Sequence, residues 1–400
     1  NWLRFYRLFY LRQCCARLGI ADDRGARIFR PTIYFCRYPG RVFGSTVYFI
    51  WQSPTKHYPK HLFQQLWHQP WLNRRDGIKS AMEVLLIGNS SIARRRILPA
   101  MGRITGIQSI SVGTSNIGTR EQPVNTKLAT IYSGYEKALA ECSAELVYIS
   151  TVNSLHEEIA DQALNKSCHV IVDKPAFLNL KASRRLVKKA ADKNLLLAEA
   201  SVFLNHPIYA EINKISQTLG PLTRIVSIFS MPPFLADNFR YQQNLGGGAL
   251  NDLGPYAAAT SRFFTTQPAK KLTCTILQNH PTRDVENSFS LAAQYDNGTS
   301  MVGLFGFDTE YQNHIRVFGP KVSLFVDRAF TPPPDGQIEI LMRNENQASS
   351  VSIDPADSFE IALENMLQAI KSNDFEPYYA ALLADAEMLE WMRESALANK

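Results

Sequence analysis

Short apolar runs alternate with helical stretches from Glu83 onward, and this alternation limits the fold more than any other feature of the chain. We predict strands at 83–87, 108–112, 146–150, 169–172 and 195–198, with helices at 92–101, 135–142, 155–166 and 181–193. Apolar strands separated by helices form a parallel sheet that is covered on both faces. The sequence therefore predicts an α/β domain over residues 82–204, with the doubly wound parallel sheet of a Rossmann fold.

The periodicity changes to a two-residue alternation after about residue 205. Leu272, Cys274 and Ile276 alternate with polar residues. The same pattern recurs at 288–295, 300–307, 322–326 and 338–342, and Asp296-Asn297-Gly298 predicts a hairpin turn. Two amphipathic helices are predicted at 359–370 and 379–397. We therefore expect a second, α+β domain over residues 205–400 with a large open, mostly antiparallel sheet.

Residues 1–81 differ in composition from the rest of the chain. Residues 1–80 contain 14 Lys and Arg against three acidic residues, whereas the remainder contains 29 against 33. No regular periodicity persists in this stretch, which carries four of the five tryptophans. Three interpretations stay open: an artefactual or poorly folded extension, a small appended module, or a basic aromatic arm for nucleic acid. No nucleic-acid motif accompanies the charge, so we expect no nucleic-acid partner.

Several function classes are excluded by what the sequence lacks. Six cysteines show no metal-ligand spacing and are too few for a disulfide framework in a chain of 400 residues, so we expect reduced thiols in a cytoplasmic protein. No apolar run reaches the roughly 18 residues of a membrane span, and we expect a soluble protein. The stretch after His156 lacks the second histidine of a zinc helix, so no metal site is predicted.

A candidate phosphate loop follows the first strand directly. Gly88-Asn89-Ser90-Ser91-Ile92-Ala93 opens a predicted helix. The dinucleotide fingerprint has Gly-x-Gly-x-x-Gly/Ala in this place, and here Ser90 replaces its middle glycine. Free N–H groups at a helix start receive a pyrophosphate. We therefore predict that Gly88, Asn89, Ser90, Ser91 and Ile92 bind a dinucleotide cofactor.

The residues after the second strand favour NADP(H) over NAD(H). An NAD site usually has an acidic residue there, which binds the ribose 2′-hydroxyl. This chain has Ser115 and Arg120 instead, and no acidic residue before Glu121. A hydroxyl and an arginine suit a 2′-phosphate. The alternative is that Arg120 is a solvated loop residue.

Three remote residues predict a proton-handling site. Lys174 stands at the end of the strand 169–172, on the carboxyl edge where ligands bind in open α/β sheets. Asp252 and Tyr256 lie four residues apart, on one face if a helix forms there. A lysine cation favours the phenolate of a nearby tyrosine and brings its pKa closer to working pH. Tyr256 would then protonate an alkoxide, Lys174 would polarise the oxygen and Asp252 would orient Lys174. The alternatives are a surface lysine and a core tyrosine.

Further residues are predicted to surround this site. Thr151, Asn153, His156 and Asp173 follow two neighbouring strands at the same edge, and we predict that they bind the cofactor. The predicted substrate contacts are His206 and Arg240, beside Lys174 and Tyr256.

Taken together, these motifs resemble the glucose-fructose oxidoreductase / inositol dehydrogenase / rhizopine-catabolism family over roughly residues 82–397. The resemblance rests on the loop 88–93, on Asp173-Lys174-Pro175 where the family usually has Glu-Lys-Pro, and on 246–256. It implies a Rossmann domain followed by a substrate-binding and oligomerisation domain, with Lys174 as a catalytic residue and Asp252 as its helper. Many members have histidine in place of Tyr256, whereas a subset has tyrosine. Ser90 and Asp173 are the departures from the family pattern.

Two further stretches, 92–100 and 328–333, are similar to segments of sugar-nucleotide 3-ketoreductases. The resemblance implies NADPH-dependent reduction of a 3-keto deoxysugar nucleotide. Two alternatives stay open: a dehydrogenase of free sugars or trans-dihydrodiols, and a non-catalytic dinucleotide-binding regulator. An open sheet with an apolar face left over favours a homodimer or homotetramer.

Overall fold

The computed structural model describes residues 82–115 and 125–398, and its N-terminal part is a parallel six-stranded sheet. The strands are β1 (Met82–Ile87), β2 (Ile107–Thr114), β3 (Leu128–Ser133), β4 (Leu146–Ile149), β5 (His169–Val172) and β6 (Leu197–Glu199). Their order is β3-β2-β1-β4-β5-β6, with parallel pairing throughout. The prediction of a doubly wound Rossmann sheet is therefore confirmed.

Helices cover both faces of this sheet because each has an apolar stripe to bury. A π-helical segment (Ala93–Ile97) leads into α1 (Leu98–Arg103), and α2 (Tyr135–Glu141), α3 (His156–Asn165) and α4 (Leu180–Asp192) follow. The side chain of Asn179 accepts a hydrogen bond from Ala182 N and so caps α4, which buries Leu186 and Ala190. The predicted helix at 92–101 thus starts with a π-helical turn, a form that recurs at functional sites.

The strand β3 was missed by the sequence analysis. It forms the edge of the sheet beside β2, and none of its six residues is fully buried. An edge strand needs no continuous apolar run, so Leu128–Ser133 lacks the signal that marked the buried strands.

The C-terminal part is built on an eight-stranded sheet. In chain order its elements are α5 (Pro207–Leu219), β7 (Arg224–Ser230), α6 (Ala249–Phe264), β8 (Lys271–Asn279), β9 (Glu286–Gln294), β10 (Ser300–Gly306), β11 (Gln312–Phe318), β12 (Val322–Asp327), β13 (Ile338–Asn344) and β14 (Gln347–Ile353). The order is β14-β13-β12-β11-β7-β10-β9-β8, and only β7 and β10 pair in parallel. The predicted, mostly antiparallel sheet is therefore confirmed.

Five of these elements, α5, β7, α6, β11 and β14, were not predicted outright. The helix α6 was foreseen only as a condition for Asp252 and Tyr256, because Gly254 and Pro255 interrupt its sequence pattern. The structure explains the glycine. A Cβ atom at Gly254 would lie 2.6 Å from Leu389 Cδ2, so a larger residue here would require the Leu389 side chain to shift.

The two C-terminal helices connect the two parts of the molecule. They are α7 (Ser358–Ser372) and α8 (Glu376–Ala398). Leu363 and Leu383 belong to the core under the first sheet, whereas Leu389 and Met392 belong to the core under the second. The sequence analysis assigned this helix pair to the domain 205–400. In the structure α7 packs into the first core and α8 contributes to both, because the chain returns to the first sheet. Within the described ranges, no helix combines the length and apolar character that crossing a bilayer requires.

Candidate active site

A buried aspartate holds two cations at the carboxyl edge of the first sheet. Lys174, which follows β5, donates from Nζ to Asp252 Oδ1 at 2.8 Å and to the Asp252 backbone oxygen at 2.6 Å. Arg240 Nε donates to the other carboxylate oxygen, Oδ2, at 2.8 Å. Burial alone would raise the pKa of Asp252, but the Arg240 and Lys174 cations reverse this and hold the pKa well below its usual value. The carboxylate is therefore ionised at neutral pH and keeps both cations in place.

Tyr256 lies beside this cluster, one turn along α6 from Asp252. Lys174 Nζ is 4.9 Å from the centroid of the Tyr256 ring. The ring packs against Phe229, Phe203 and Phe330, with centroid separations of 4.9, 5.4 and 5.4 Å. The structure thus brings Lys174, Asp252 and Tyr256 together, and adds Arg240 through the shared carboxylate.

The prediction of a lowered pKa at Tyr256 is wrong for the net effect. Burial raises the pKa of Tyr256 above its ordinary value, and the opposing effect of Lys174 is not sufficient to reverse it. Asp252 also disfavours a second negative charge nearby. The phenol is therefore protonated at neutral pH. A protonated phenol beside an ammonium group can donate a proton to an oxygen that is gaining electrons.

The phosphate loop starts with a glycine that the packing requires. Gly88 has φ +107°, and a Cβ atom there would lie 2.1 Å from the backbone oxygen of Ser150. The helix begins at Ser91, so its first N–H groups are oriented as a pyrophosphate site needs them.

Ser90 turns its side chain into the protein. Ser90 Oγ accepts a hydrogen bond from Ala93 N at 3.0 Å, and it lies 2.8 Å from Ser150 Oγ. The hydroxyl thus caps the start of the helix. Because the side chain is turned inward, serine in place of the middle fingerprint glycine does not obstruct the outer side of the loop.

A chain of hydrogen bonds connects this loop to the residue before Lys174. Ser150 Oγ donates to Asp173 Oδ2 at 2.6 Å, so Ser90 must be the donor to Ser150. Tyr148 OH donates to the other oxygen, Oδ1, at 2.8 Å. Burial raises the pKa of Asp173, although both hydroxyls favour the charged form. Each carboxylate oxygen of Asp173 thus accepts one hydrogen bond within the protein, and its contact with the cofactor stays a prediction.

We expect Ser90→Gly, which restores the fingerprint glycine, to lower the free energy of unfolding of the cofactor-free protein. The variant loses the cap on Ala93 N, which glycine replaces at a cost of only a few tenths of a kcal/mol, and the hydrogen bond to Ser150, so the total cost is about 1 kcal/mol. Dinucleotide affinity should change by about threefold or less, because the inward hydroxyl does not face the ligand. Urea unfolding and fluorescence titration measure the two quantities. An unaltered unfolding free energy would contradict the role of the Ser90 hydroxyl as a helix cap. The variant Ser90→Ala is the control, because it removes the hydroxyl without introducing a glycine.

Two further predicted cofactor residues connect loops instead. His156 is buried, with Nδ1 2.9 Å from the backbone oxygen of Pro175 and Nε2 3.3 Å from that of Thr151. Asn153 Nδ2 donates to the backbone oxygen of Gly246 at 2.8 Å. Both side chains therefore fix the loops on which the site is built. For His156 this corrects the predicted cofactor contact, because the ring is only 1% exposed.

The remaining predicted residues differ in their placement. Ser91 is exposed and its hydroxyl accepts from Arg95, Ile92 is half-buried, and Ser115 lies exposed at the end of β2, 3.4 Å from Tyr135 OH. Arg120 lies outside the described residues.

The predicted substrate contact at His206 is corrected by the structure. The ring of His206 is 1% exposed, and its Nδ1 accepts a hydrogen bond from Ile208 N at the start of α5. Burial lowers its pKa to about 4. It is a buried helix cap, which does not reach the surface where a substrate would bind.

Glu199 is a residue of the site region that the sequence analysis missed. Its carboxylate accepts from Ala176 N at 2.8 Å, two residues beyond Lys174, across the cis Lys174-Pro175 peptide bond. Burial and the nearby Asp385 raise its pKa to about 7. The sequence signal for Glu199 is an acidic residue directly after the predicted apolar strand 195–198. The aromatic residues around Tyr256 carried no local signal, because they come from separate elements.

Comparisons with known proteins agree with this fold. The family model described as "Oxidoreductase family, NAD-binding Rossmann fold" matches residues 82–201, and the "GFO/IDH/MocA C-terminal domain" matches residues 215–325. Together they cover more than half of the chain.

Two curated relatives illustrate the range of similar proteins. A dTDP-3,4-didehydro-2,6-dideoxy-alpha-D-glucose 3-reductase of Saccharopolyspora spinosa is 28% identical over 299 residues, which is 74% of this chain and 89% of the relative. A D-xylose 1-dehydrogenase (NADP(+)) of Haloferax volcanii is 25% identical over 299 residues, 72% of this chain and 89% of the relative.

Solved structures share the fold. A 3-ketoreductase from Actinomadura kijaniata, in complex with NADP and TDP-benzene, has a TM-score of 0.75 and 24% identity and covers 79% of this chain and 98% of its own. An aldose-aldose oxidoreductase from Caulobacter crescentus has a TM-score of 0.71 and 18% identity, over 80% of this chain and 98% of its own.

Proposed function

Because this chain belongs to the GFO/IDH/MocA family of oxidoreductases, we propose that it reduces a nucleotide-linked 3-keto deoxysugar with NADPH. The observation that carries the proposal is the cluster of Lys174, Asp252 and Tyr256 beside the carboxyl edge of the Rossmann sheet. The similarity to a dTDP-sugar 3-reductase over 74% of the chain supports the substrate class.

The residues present fit a dinucleotide. A pyrophosphate is received where a strand leads through a glycine turn into a helix, and β1, Gly88 and the helix that begins at Ser91 form this arrangement. Because the Ser90 side chain turns inward, the outer side of the loop is left clear for the ligand. When bound, the reduced nicotinamide supplies the hydride. Ser115, at the end of β2, would contact the adenosine ribose. The missing acidic residue after β2 and the NADP-dependent relatives support NADP(H).

The protein's own residues account for the proton. Lys174, kept charged by Asp252, would hold the substrate carbonyl oxygen and polarise it. As the carbonyl carbon accepts the hydride, the oxygen gains negative charge, and the Tyr256 phenol donates its proton to give the alcohol. The resulting phenolate would be stabilised by Lys174 and reprotonated from solvent. The phenol is protonated before the reaction, and the alkoxide that forms on the substrate is the stronger base, so the proton moves from Tyr256 to the substrate.

Steady-state assays with a panel of substrates test the function. We expect NADPH oxidation with a dTDP-linked 3-keto deoxysugar, and kcat/KM at least about 100-fold lower with free aldoses. The similarity to a D-xylose 1-dehydrogenase favours the second candidate, an NADP-dependent dehydrogenase of free sugars. Activity confined to free sugars or trans-dihydrodiols would reject the nucleotide-linked substrate in favour of that candidate.

The reaction is proposed to take place in the cytoplasm. Cys142 and Cys168 are free thiols in the described part of the chain. Free thiols are typical of a reducing compartment, where NADPH is also available.

A second copy of the chain is the proposed partner of the open sheet face. On β10, Met301 and Phe305 face the core, whereas Val302 and Leu304 face outward with 48% and 46% exposed. Leu341 on β13 is 47% exposed on the same sheet. A sheet face with exposed apolar side chains is suited to a symmetric interface.

We expect Val302→Asp to convert a dimer or tetramer into a smaller species, measured by light scattering. Burying a carboxylate at a subunit interface without a partner is unfavourable. Leu235→Asp is the control, because Leu235 is 80% exposed in a loop after β7 and does not lie on the sheet. A monomeric wild-type protein would contradict the proposed interface.

A further inference from the structure

The segment Arg328–Thr331, which follows β12, is held in place by three hydrogen bonds. Tyr209 OH donates to the backbone oxygen of Ala329 at 3.2 Å. Asn313, which is only 1% exposed, accepts from Phe330 N at 2.9 Å and donates to Thr331 Oγ1 at 2.6 Å. These bonds keep the segment in one conformation beyond the end of β12, an interior strand of the second sheet.

This conformation places an arginine over an exposed aromatic ring. Arg328 has φ 56°, a left-handed backbone that side chains other than glycine and asparagine rarely adopt. Its guanidinium carbon is 5.1 Å from the centroid of the Tyr311 ring. Tyr311 OH in turn accepts from Asn313 Nδ2 at 2.8 Å and lies 3.1 Å from Thr331 Oγ1. A strained residue held this firmly indicates a functional constraint.

The charge of Arg328 is not neutralised by an ion pair. Among the described residues, no carboxylate oxygen lies within 4.0 Å of its guanidinium. Lys174 and Arg240, by contrast, both pair with Asp252. The charge of Arg328 is therefore available to a ligand that carries a diphosphate.

The arginine and the tyrosine lie close to the catalytic phenol. Phe330, two residues after Arg328, packs against Tyr256 with a centroid separation of 5.4 Å. Phe229 lies between the two tyrosines, 4.9 Å from the Tyr256 ring and 6.4 Å from the Tyr311 ring. A sugar carbonyl at Tyr256 thus has Arg328 and Tyr311 within the length of an attached nucleoside diphosphate.

We propose that Arg328 and Tyr311 form the subsite for the nucleoside diphosphate part of the substrate. Arg328 pairs with the diphosphate oxygens, for which a guanidinium is geometrically suited, and Tyr311 offers its exposed ring to the base. This subsite rests on the proposed function, since only a nucleotide-linked sugar would fill it.

Isothermal titration with dTDP, in the presence of NADPH, tests the subsite. We expect Arg328→Asn to weaken dTDP binding about tenfold or more, because a charge-assisted contact is lost. Asparagine tolerates the left-handed backbone, so the variant keeps its fold and its Tm does not fall. Arg316→Gln is the matched control: its guanidinium lies at the same 5.1 Å from an aromatic ring, that of Phe325, but within the strand β11. The control should bind dTDP as the wild type does.

The assay outcomes separate this inference from the proposed function. With the nucleotide-linked substrate, Arg328→Asn should lower kcat/KM about tenfold and change kcat little, while NADPH affinity stays the same. Wild-type protein that binds dTDP, with Arg328→Asn binding equally well, would overturn the subsite and leave the function intact. Wild-type protein that reduces free sugars and does not bind dTDP would overturn both.

Discussion

Replacing Lys174 with alanine should lower kcat by about three orders of magnitude, within the range of 10²–10⁴ for a group that polarises the reacting oxygen and assists proton transfer. The ammonium group is 4.9 Å from the Tyr256 ring and bonded to Asp252 at 2.8 Å, so its loss removes the only lysine that contacts both in the described part of the chain. NADPH affinity should remain within about threefold, because the phosphate loop is not altered. Stopped-flow or steady-state measurement of NADPH oxidation gives kcat.

Lys189→Ala is a matched control for this variant. Lys189 donates to Asp161 at 2.8 Å, and its side chain is 25% exposed against 20% for Lys174. It lies on α4, on a surface formed with α3, and its removal should leave kcat unchanged. If Lys174→Ala kept more than a tenth of the wild-type kcat, the assigned role would be untenable. If it also left the protein's cellular role intact, the non-catalytic regulator would be the better interpretation.

Asp252→Asn should destabilise the protein and also reduce its activity. The variant leaves two partly exposed cations, Lys174 and Arg240, without their shared buried carboxylate, and breaking a buried ion pair costs about 3–5 kcal/mol. We expect a loss of about 3 kcal/mol in the free energy of unfolding at pH 7, measured in urea. The kcat should also fall about 100-fold, because Lys174 is no longer oriented.

The pH dependence of this loss follows from the lowered pKa of Asp252. A carboxyl whose pKa is lower in the folded state stabilises the fold fully above its unfolded pKa, which is ordinarily 3.8. That contribution is lost as the pH falls through the folded pKa. The difference between wild type and Asp252→Asn should therefore be constant above about pH 5 and shrink below about pH 4.

Asp161→Asn is the control, because Asp161 also accepts from two cations, Arg185 and Lys189. Its side chain is 26% exposed, whereas that of Asp252 is 9% exposed. Solvent screening should limit its loss to about 1 kcal/mol, with kcat unchanged. Equal destabilisation by both variants, or wild-type kcat in Asp252→Asn, would contradict the proposal that Asp252 holds Lys174 and Arg240 in place for the reaction.

Much of the first domain could be predicted because its signals are local. The apolar strands, the loop at 88–93 and Lys174 at a strand end are each contained in a few adjacent residues. Elements without a local signal were missed. The edge strand Leu128–Ser133 has no buried residue to mark it. The helix α6 carries Gly254, which packs against Leu389, and Pro255, and both residue types weaken a helical pattern.

Side-chain direction could not be predicted in the same way. Ser90, His156 and Asp173 stand at positions that favour cofactor contacts, yet their polar atoms bond within the protein. Each of these bonds joins residues from different strands or loops. Spacing along the chain does not indicate which of two polar neighbours, protein or ligand, a side chain faces.

The sequence by itself determined the fold class, the family and the residue types of the site, because strand and helix periods and short motifs depend on neighbours along the chain. Only the tertiary structure decided how Lys174, Arg240 and Asp252 share one carboxylate, and that Tyr256 has a raised pKa. A pKa depends on burial and on charges from remote elements. In this protein, aromatic rings from three separate segments pack against the half-buried ring of Tyr256, and the effect of burial on its pKa exceeds that of Lys174.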